Sequence, residues 1–464
     1  MPLPPTLQLS QFCHWFEREQ VVALFHTLHV QLAYLDKDNH ASILRRLCSR
    51  NEICTATLLN EERSVIEQLM TLGMLVTSEE EDITLLNKVR DHHTGSVDIS
   101  ILYLLLTDQC NLACTYCFIE GAMPQQHHFS RMSPETAIAA IDLFSTQASR
   151  CDSPHHRPSI IFYGGEPTVN WDVLSTAVLH IEAKIGTGDL APNTEISMIT
   201  NGTLLNEERI QFLKEHHVGL SLSLDGPGRY NDSRPYLNGK QSTDRVMKSL
   251  HLVQQAEIPV TLSCTLNQHN IKDIREISRW MCDTGVHAVG FNMMMDVPGL
   301  APVDEKLIDE SVQALTDCYQ IFRANGVYED RIGRKVDCLV DQYVYPFDCG
   351  AYGGQMVVAP DGQIGVCHAY AGERSYFDKN VHNAIGFDPA QHPHFSEWSR
   401  RSPLNMPQCY DCAALGICGG GCAKSAEVRH GTIWALDDRF CKHAKHTLEW
   451  MIWDLYGIES IQHQ

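Results

Sequence analysis

Cys110-Asn111-Leu112-Ala113-Cys114-Thr115-Tyr116-Cys117-Phe118 is the stretch on which the reading of this chain turns. Its three cysteines, at C-x3-C-x2-C spacing, follow Ile101 to Leu106, an apolar run that reads as a buried strand. Three thiolates on one tight loop can hold three irons of a [4Fe-4S] cluster and leave the fourth iron open. An electron-transfer site normally has four cysteines. An open iron instead can bind a second molecule and pass it one electron. A zinc site or paired disulfides are the alternatives for the same residues, although structural zinc asks for four ligands, usually in two C-x2-C pairs.

Composition narrows the class. The 464 residues suggest two to four domains and carry a net charge of −21. Such an acidic chain is ill suited to nucleic acid or to an anionic membrane, and neither is expected as a partner. No apolar run reaches the length of a membrane helix. Met1-Pro2-Leu3-Pro4-Pro5 offers no basic n-region and no apolar h-region, so no export signal is expected and a cytoplasmic location is. Eighteen cysteines without export argue for metal or redox chemistry rather than a disulfide framework. Ten fall into two spaced groups; Cys13, Cys48, Cys54, Cys151, Cys264, Cys282, Cys318 and Cys338 are scattered and read as ordinary buried thiols. The pairs His127-His128 and His155-His156 lie in polar stretches and read as solvated.

Residues 1–95 read as a small α+β domain. Leu28, Val30, Leu32 and Tyr34 alternate with His29, Gln31 and Ala33, the period of a half-buried strand. Helical spacing follows over Ala41 to Arg50. A second helix is expected from an Asn60 cap, with Glu61 and Glu62 in its first turn and Gly73 at its end. Met74-Leu75-Val76 reads as a strand and the acidic stretch Ser78 to Asp82 as a loop. Strands and helices in so few residues suggest a winged-helix-like module.

Residues 96–335 alternate strand and helix. Strands are expected over Ile101–Leu106, Ser159–Tyr163, Glu195–Thr200, Gly219–Leu224, Pro259–Thr265 and His287–Asn292. Helices are expected from Ser133-Pro134-Glu135 and over Asn206–His217, Asp244–Ala256, Ile271–Thr284 and Val303–Asn325. Six consecutive βα units imply a parallel sheet, because each crossover needs a helix.

Several strand ends carry polar motifs. Gly164-Gly165-Glu166-Pro167 ends the second strand; small residues there let the backbone approach a ligand, and Glu166 can pair with an ammonium group. A glycine-rich turn before a helix is the plainer alternative. Ile199-Thr200-Asn201-Gly202 ends the third strand. Ser223-Leu224-Asp225-Gly226-Pro227 ends the fourth, with Arg234 soon after, whose planar fork suits a carboxylate.

In residues 336–464 glycine and cysteine rise and the alternation stops. Cys349 precedes Gly362 by twelve intervening residues, and four more separate Gly362 from Cys367; Cys409-x2-Cys412-x5-Cys418-x3-Cys422 follows and Cys441 closes the set. Gly419-Gly420-Gly421 lets the chain wrap closely around a cofactor. Two zinc ribbons are the alternative.

The cysteine loop, its flanks and the order of the later motifs resemble the radical SAM superfamily. The resemblance implies an α/β fold: a partial (β/α)6 barrel whose open iron, on the cluster of Cys110, Cys114 and Cys117, chelates S-adenosylmethionine. It implies cofactor contacts from Tyr116 to the adenine, from Gly164, Gly165 and Glu166 to the amino group, and from Asn201, Ser223 and Arg234 to the ribose and carboxylate region. The seven later cysteines resemble the SPASM domain. This implies two auxiliary [4Fe-4S] clusters, a distal one on Cys409, Cys412, Cys418 and Cys441 and a proximal one on Cys349, Cys367 and Cys422, with Cys338 as a further candidate ligand. The first 95 residues resemble leader-recognition modules of peptide-modifying enzymes, which bind an extended peptide against a sheet edge.

The resemblance implies an oxidoreductase with three [4Fe-4S] clusters that cleaves S-adenosylmethionine and directs a 5′-deoxyadenosyl radical at a ribosomally made precursor peptide. A side-chain cross-link (C–C, ether or thioether) is the expected product, and flavodoxin or ferredoxin the expected electron donor. Formylglycine formation, as in anaerobic sulfatase maturation, is a second enzyme reading. A non-catalytic iron–sulfur protein that binds peptides or relays electrons is a reading from another class.

Overall fold

Val21-Val22-Ala23-Leu24-Phe25 has no polar alternate, and it forms a strand buried on both faces. A computed structural model describes residues 3–49, 52–148, 157–298 and 302–462. In it the N-terminal strands are β1 (Thr6–Leu9), β2 (Cys13–Glu17), β3 (Val21–His26) and β4 (Gln31–Asp36). Helix α1 (Ala41–Cys48), β5 (Ile53–Cys54), α2 (Asn60–Thr71), β6 (Leu75–Val76) and α3 (Glu79–His93) complete the segment. The strands make two small antiparallel sheets, β5-β1-β6 and β2-β3-β4. Val22 and Leu24 of β3 face a core shared with Ile43, Leu47, Ile66 and Leu69. Val21, Ala23 and Phe25 face a different core, built with Leu415, Ile417, Leu448 and Ile452 from the far end of the chain.

Four local expectations change here. The alternation from Leu28 to Tyr34 straddles a turn and β4: Leu28 and Val30 are buried turn residues, and Val30 has φ 51°. The Asn60 cap is replaced by Leu59, whose N–H donates to the Glu62 carboxylate at 2.9 Å. The acidic stretch after Ser78 is the first turn of α3, where Glu79, Glu80, Glu81 and Asp82 meet the positive end of the helix dipole. Among the scattered cysteines, Cys48 and Cys54 are exposed. Arg50, Cys151, His155 and His156 lie outside the described residues.

Parallel strands β7 (Ile101–Thr107), β8 (Ser159–Gly164), β9 (Glu195–Thr200), β10 (Gly219–Ser223), β11 (Val260–Leu266) and β12 (Ala288–Met293) follow. They alternate with α4 (Pro134–Ala148), α5 (Trp171–Thr187), α6 (Glu207–Glu215), α7 (Thr243–Gln255), α8 (Ile274–Asp283) and α9 (Glu305–Ala324). A short seventh parallel strand, β13 (Tyr328–Glu329), lies beside β12 and leads into α10 (Asp330–Val340). The result is an α/β fold with a large parallel sheet, the partial barrel expected from the six βα units. Alternation along each strand has a clear sense. Ile160 and Phe162 are buried in the helix-covered core, whereas Tyr163 lines a cavity enclosed by the sheet.

The last third joins the opposite edge of the same sheet. Strand β14 (Gln355–Val358) pairs in parallel with β7, and β15 (Gln363–Gly365) and β16 (Phe377–Asn380) continue antiparallel, giving ten strands. Short helices α11 (Pro393–Trp398), α12 (Leu415–Cys418) and α13 (Ala423–His430) precede α14 (Asp438–Gln462). Residues 335 and 336 both lie within α10, so the change of motif there is not a break in the fold.

Candidate active site

The cysteine loop leaves the C-terminal end of β7, where strand ends of parallel α/β sheets present their sites. It is pinned from outside. Ala113 N–H donates to the Pro235 carbonyl at 2.8 Å and Thr115 N–H to the Ser233 carbonyl at 3.0 Å. Cys110 Sγ accepts from Leu112 N–H at 3.4 Å, and Asn201 Nδ2 stands 3.8 Å from it; Cys117 Sγ accepts from Glu120 N–H at 3.4 Å. Such hydrogen bonds favour a thiolate, while burial opposes it and pushes the Cys110 thiol up to about 12 and that of Cys114 to about 11. A bound iron removes that penalty by holding the thiolate outright.

The glycines of the β8 end line the cavity and also meet the cysteine loop. A Cβ on Gly164 would lie 2.2 Å from the Thr107 carbonyl oxygen, and one on Gly165 would lie 2.2 Å from that of Gln109. They make room for the backbone of the cysteine loop itself. Gly165 N–H and Glu166 N–H donate to those carbonyls at 2.8 Å each. Glu166 is buried. Its Oε1 accepts from Thr168 N–H, Thr168 Oγ1 and Thr200 Oγ1, and its Oε2 from Asn201 N–H at 2.8 Å. Asn201 Nδ2 also donates to Asn111 Oδ1 at 2.9 Å, so Glu166 and the cysteine loop are tied through one asparagine.

Asp225 organises the fourth strand end, a role the sequence reading left unassigned. Its carboxylate accepts from Arg234 at 3.1 Å, Tyr116 Oη at 2.5 Å, Thr265 N–H at 3.0 Å and Asn267 Nδ2 at 3.3 Å. Tyr116 lies under the Arg234 guanidinium, 5.3 Å from ring centroid to Cζ. Arg234 is buried, and its Nε has no hydrogen-bond partner. Arg234 lines the cavity, and a buried guanidinium with one N–H unpaired among the described residues suits a carboxylate partner. Ser223 ends β10 in register with Ser263, and both line the same cavity.

That cavity has a volume of about 1030 Å³ and reaches from Cys110, Cys114 and Cys117 to Cys349, Cys367 and Cys422. Tyr103, Tyr163 and His368 pave the ground between the two sets, with His368 stacked on Tyr103 at 4.6 Å and tilted against Phe118 at 6.1 Å. Burial lowers His368 to about 4, so the ring stays neutral near pH 7. His127, expected to be solvated, pairs instead with Asp108 at 2.9 Å at the cavity wall. A single metal ion needs ligands about 2.0–2.3 Å from one point. Among the described residues no three His, Cys, Asp or Glu side chains gather so closely, and the cysteines are spread around the cavity wall.

Cys409, Cys412, Cys418 and Cys441 form a separate group. Burial first, and then the other cysteines of the set, push the thiols of Cys409 and Cys441 up, that of Cys409 to about 12. None of the four lines the cavity. Cys338 lies in the core against which Cys409, Cys412 and Cys418 pack. Its thiol donates to the Tyr343 carbonyl at 2.8 Å inside the core shared with β3, so it is an ordinary buried thiol.

Residues 104–281 match the family model of the Radical SAM superfamily. That stretch is a radical SAM domain, and the superfamily uses S-adenosylmethionine and a [4Fe-4S] cluster, for which the cavity-lining Arg234 and the three-cysteine loop are fitting partners. The relatives of the chain are more particular. The radical SAM cyclopropyl synthase TigE of Paramaledivibacter caminithermalis is 23% identical over 467 residues, 94% of this chain and 93% of that one. A cysteine-type anaerobic sulfatase-maturating enzyme of Clostridium perfringens is 22% identical over 370 residues, 76% of this chain and 96% of that one. Two solved structures share the fold: anSMEcpe with bound AdoMet, at TM-score 0.64 and 19% identity over 77% of this chain and 98% of that one, and Streptococcus suis SuiB bound to precursor peptide SuiA, at 0.55 and 14% over 94% and 99%. No helix among the described residues is long and apolar enough to cross a membrane.

Proposed function

We propose that the chain matures a ribosomally made precursor peptide by oxidative bond closure on its side chains. The observation that carries this reading is the single cavity bordered by Cys110, Cys114 and Cys117 at one end and Cys349, Cys367 and Cys422 at the other. When bound, the first cluster supplies the electron that splits S-adenosylmethionine into methionine and a 5′-deoxyadenosyl radical able to take hydrogen from an unactivated carbon. Arg234 Nε then holds the cofactor carboxylate, Glu166 Oε2 its ammonium group, and Asp225 fixes both Arg234 and Tyr116. The sheet and the aromatic floor of Tyr103, Tyr163 and His368 keep water from the radical. The peptide would lose one hydrogen atom to the 5′-deoxyadenosyl fragment, and a proton and an electron as the new bond closes; a cluster held by Cys349, Cys367 and Cys422 would supply an acceptor for that electron at the far end of the cavity. Three clusters are required, with the proximal one on Cys349, Cys367 and Cys422 and the distal one on Cys409, Cys412, Cys418 and Cys441. The leader segment docks on the N-terminal module, whose outer strands β2 and β4 offer sheet edges. A flavodoxin or ferredoxin delivers the first electron.

Intact mass tests the proposal. Bond closure removes about two hydrogens per site. A cross-link between residues suppresses backbone fragmentation between them, whereas a carbon ring closed within one side chain, in keeping with the TigE likeness over 94% of the chain, leaves fragmentation normal. The likeness to sulfatase-maturating enzymes favours one further reading, formylglycine from cysteine, which replaces sulfur with oxygen. An unchanged mass overturns oxidative closure altogether.

A further inference from the structure

Gly416 lies in α12, within the segment that runs from Cys412 to Cys418, and it is pressed against the N-terminal module. A Cβ on it would lie 1.8 Å from the Thr27 carbonyl oxygen and 2.9 Å from the Thr27 carbonyl carbon. Its N–H donates to Thr27 Oγ1 at 2.8 Å across 389 residues of sequence. Thr27 itself is buried, and its own N–H donates to the Phe12 carbonyl at 2.9 Å. From the other side the Gly416 carbonyl accepts from Tyr345 N–H at 2.7 Å. Leu415 and Ile417, on either side of the glycine, pack in one core with Phe12, Phe25 and Leu28.

We propose that Thr27 is a positioning residue for the distal auxiliary site, so that the N-terminal module forms one wall of that site. This rests on the reading of Cys409, Cys412, Cys418 and Cys441 as cluster ligands. That segment carries two of those four ligands, and among the described residues the acceptor for the buried Gly416 N–H is the Thr27 hydroxyl. Replacing that acceptor leaves a buried donor unpaired, and the segment relieves it by moving away, taking Cys412 and Cys418 with it.

The test uses full-length, anaerobically reconstituted enzyme. Thr27→Val keeps the shape and removes the acceptor; Thr27→Ser keeps the acceptor. Iron content, the EPR signals of the clusters and their midpoint potentials are read beside S-adenosylmethionine cleavage. Thr27→Val should lose about four of about twelve irons, or shift the potential of one auxiliary cluster. The signal of the Cys110, Cys114 and Cys117 cluster should stay, and Thr27→Ser should match the parent. A Thr27→Val enzyme with parental iron, signals and potentials overturns the proposal. Hydrogen exchange on the parent enzyme needs no variant: the Gly416 amide should exchange as slowly as those of residues 21–26, and rapid exchange also overturns it. A parent with about four irons instead overturns the auxiliary-cluster reading beneath it.

Discussion

Arg234 shows what one buried atom can say. Its charge is held by Asp225, but Nε is left without an acceptor. Arg234→Gln should therefore weaken S-adenosylmethionine binding roughly tenfold to a hundredfold, the worth of a charge-assisted hydrogen bond, while cluster absorbance is kept. Equilibrium binding to the reconstituted enzyme checks both. His26 makes a second residue-scale prediction. Its Nδ1 accepts from His29 N–H at 3.0 Å, so its proton sits on Nε2, 3.1 Å from Ser10 Oγ. Burial, helped by neighbouring His29, lowers it from 6.5 to about 3. The folded ring stays neutral where the unfolded one takes a proton. Its stability contribution is thus present above about pH 6.5 and is lost as pH falls toward about 3, by up to about 1.4 kcal/mol per pH unit. The drop in melting temperature between pH 7 and pH 5 should be smaller in His26→Gln than in the parent.

At the scale of elements, Cys338 lies on α10 with its thiol bonded to the Tyr343 carbonyl, so Cys338→Ala should leave iron content unchanged, whereas Cys349→Ala should lower it. Iron analysis decides. The strands of the partial barrel are legible in the sequence: Glu195–Thr200 is a strand within the expected limits, with Ile196 and Met198 buried and Glu195 and Ser197 on the other face. The N-terminal segment was harder. Alternation is produced by one-sided burial, and β3 is buried on two sides, so its continuous apolar run carries no period to read. The signal lay in the length and β-branching of the run. Helix α3 was hidden by its charge, since four acids in a row look like a loop unless their place at a helix start is seen. Spacing singles out cysteines and an Arg234 that line one cavity, while Asp225 has no such signal, because its contacts come from partners at 116, 234, 265 and 267 that folding gathers. The glycines after β8 line that cavity too, and their neighbour is the cysteine loop.

For the whole molecule, the core that joins Phe12, Val21 and Phe25 to Leu415, Leu448 and Ile452 ties the first segment of the chain to the last. Tyr34 Oη donates to the Ile452 carbonyl, and Arg18 lies over Trp453 at 4.6 Å. Residues 96–464 expressed alone should therefore expose a large apolar face and elute as aggregates in size-exclusion chromatography, where the full chain elutes as a defined species. The pairing of β14 with β7 has its own consequence, for biogenesis. Until Gln355–Val358 has left the ribosome, β7 has β8 on one flank and an open edge on the other. The nascent chain thus carries its cysteine loop on a strand paired along one edge until more than three quarters of the chain has been made.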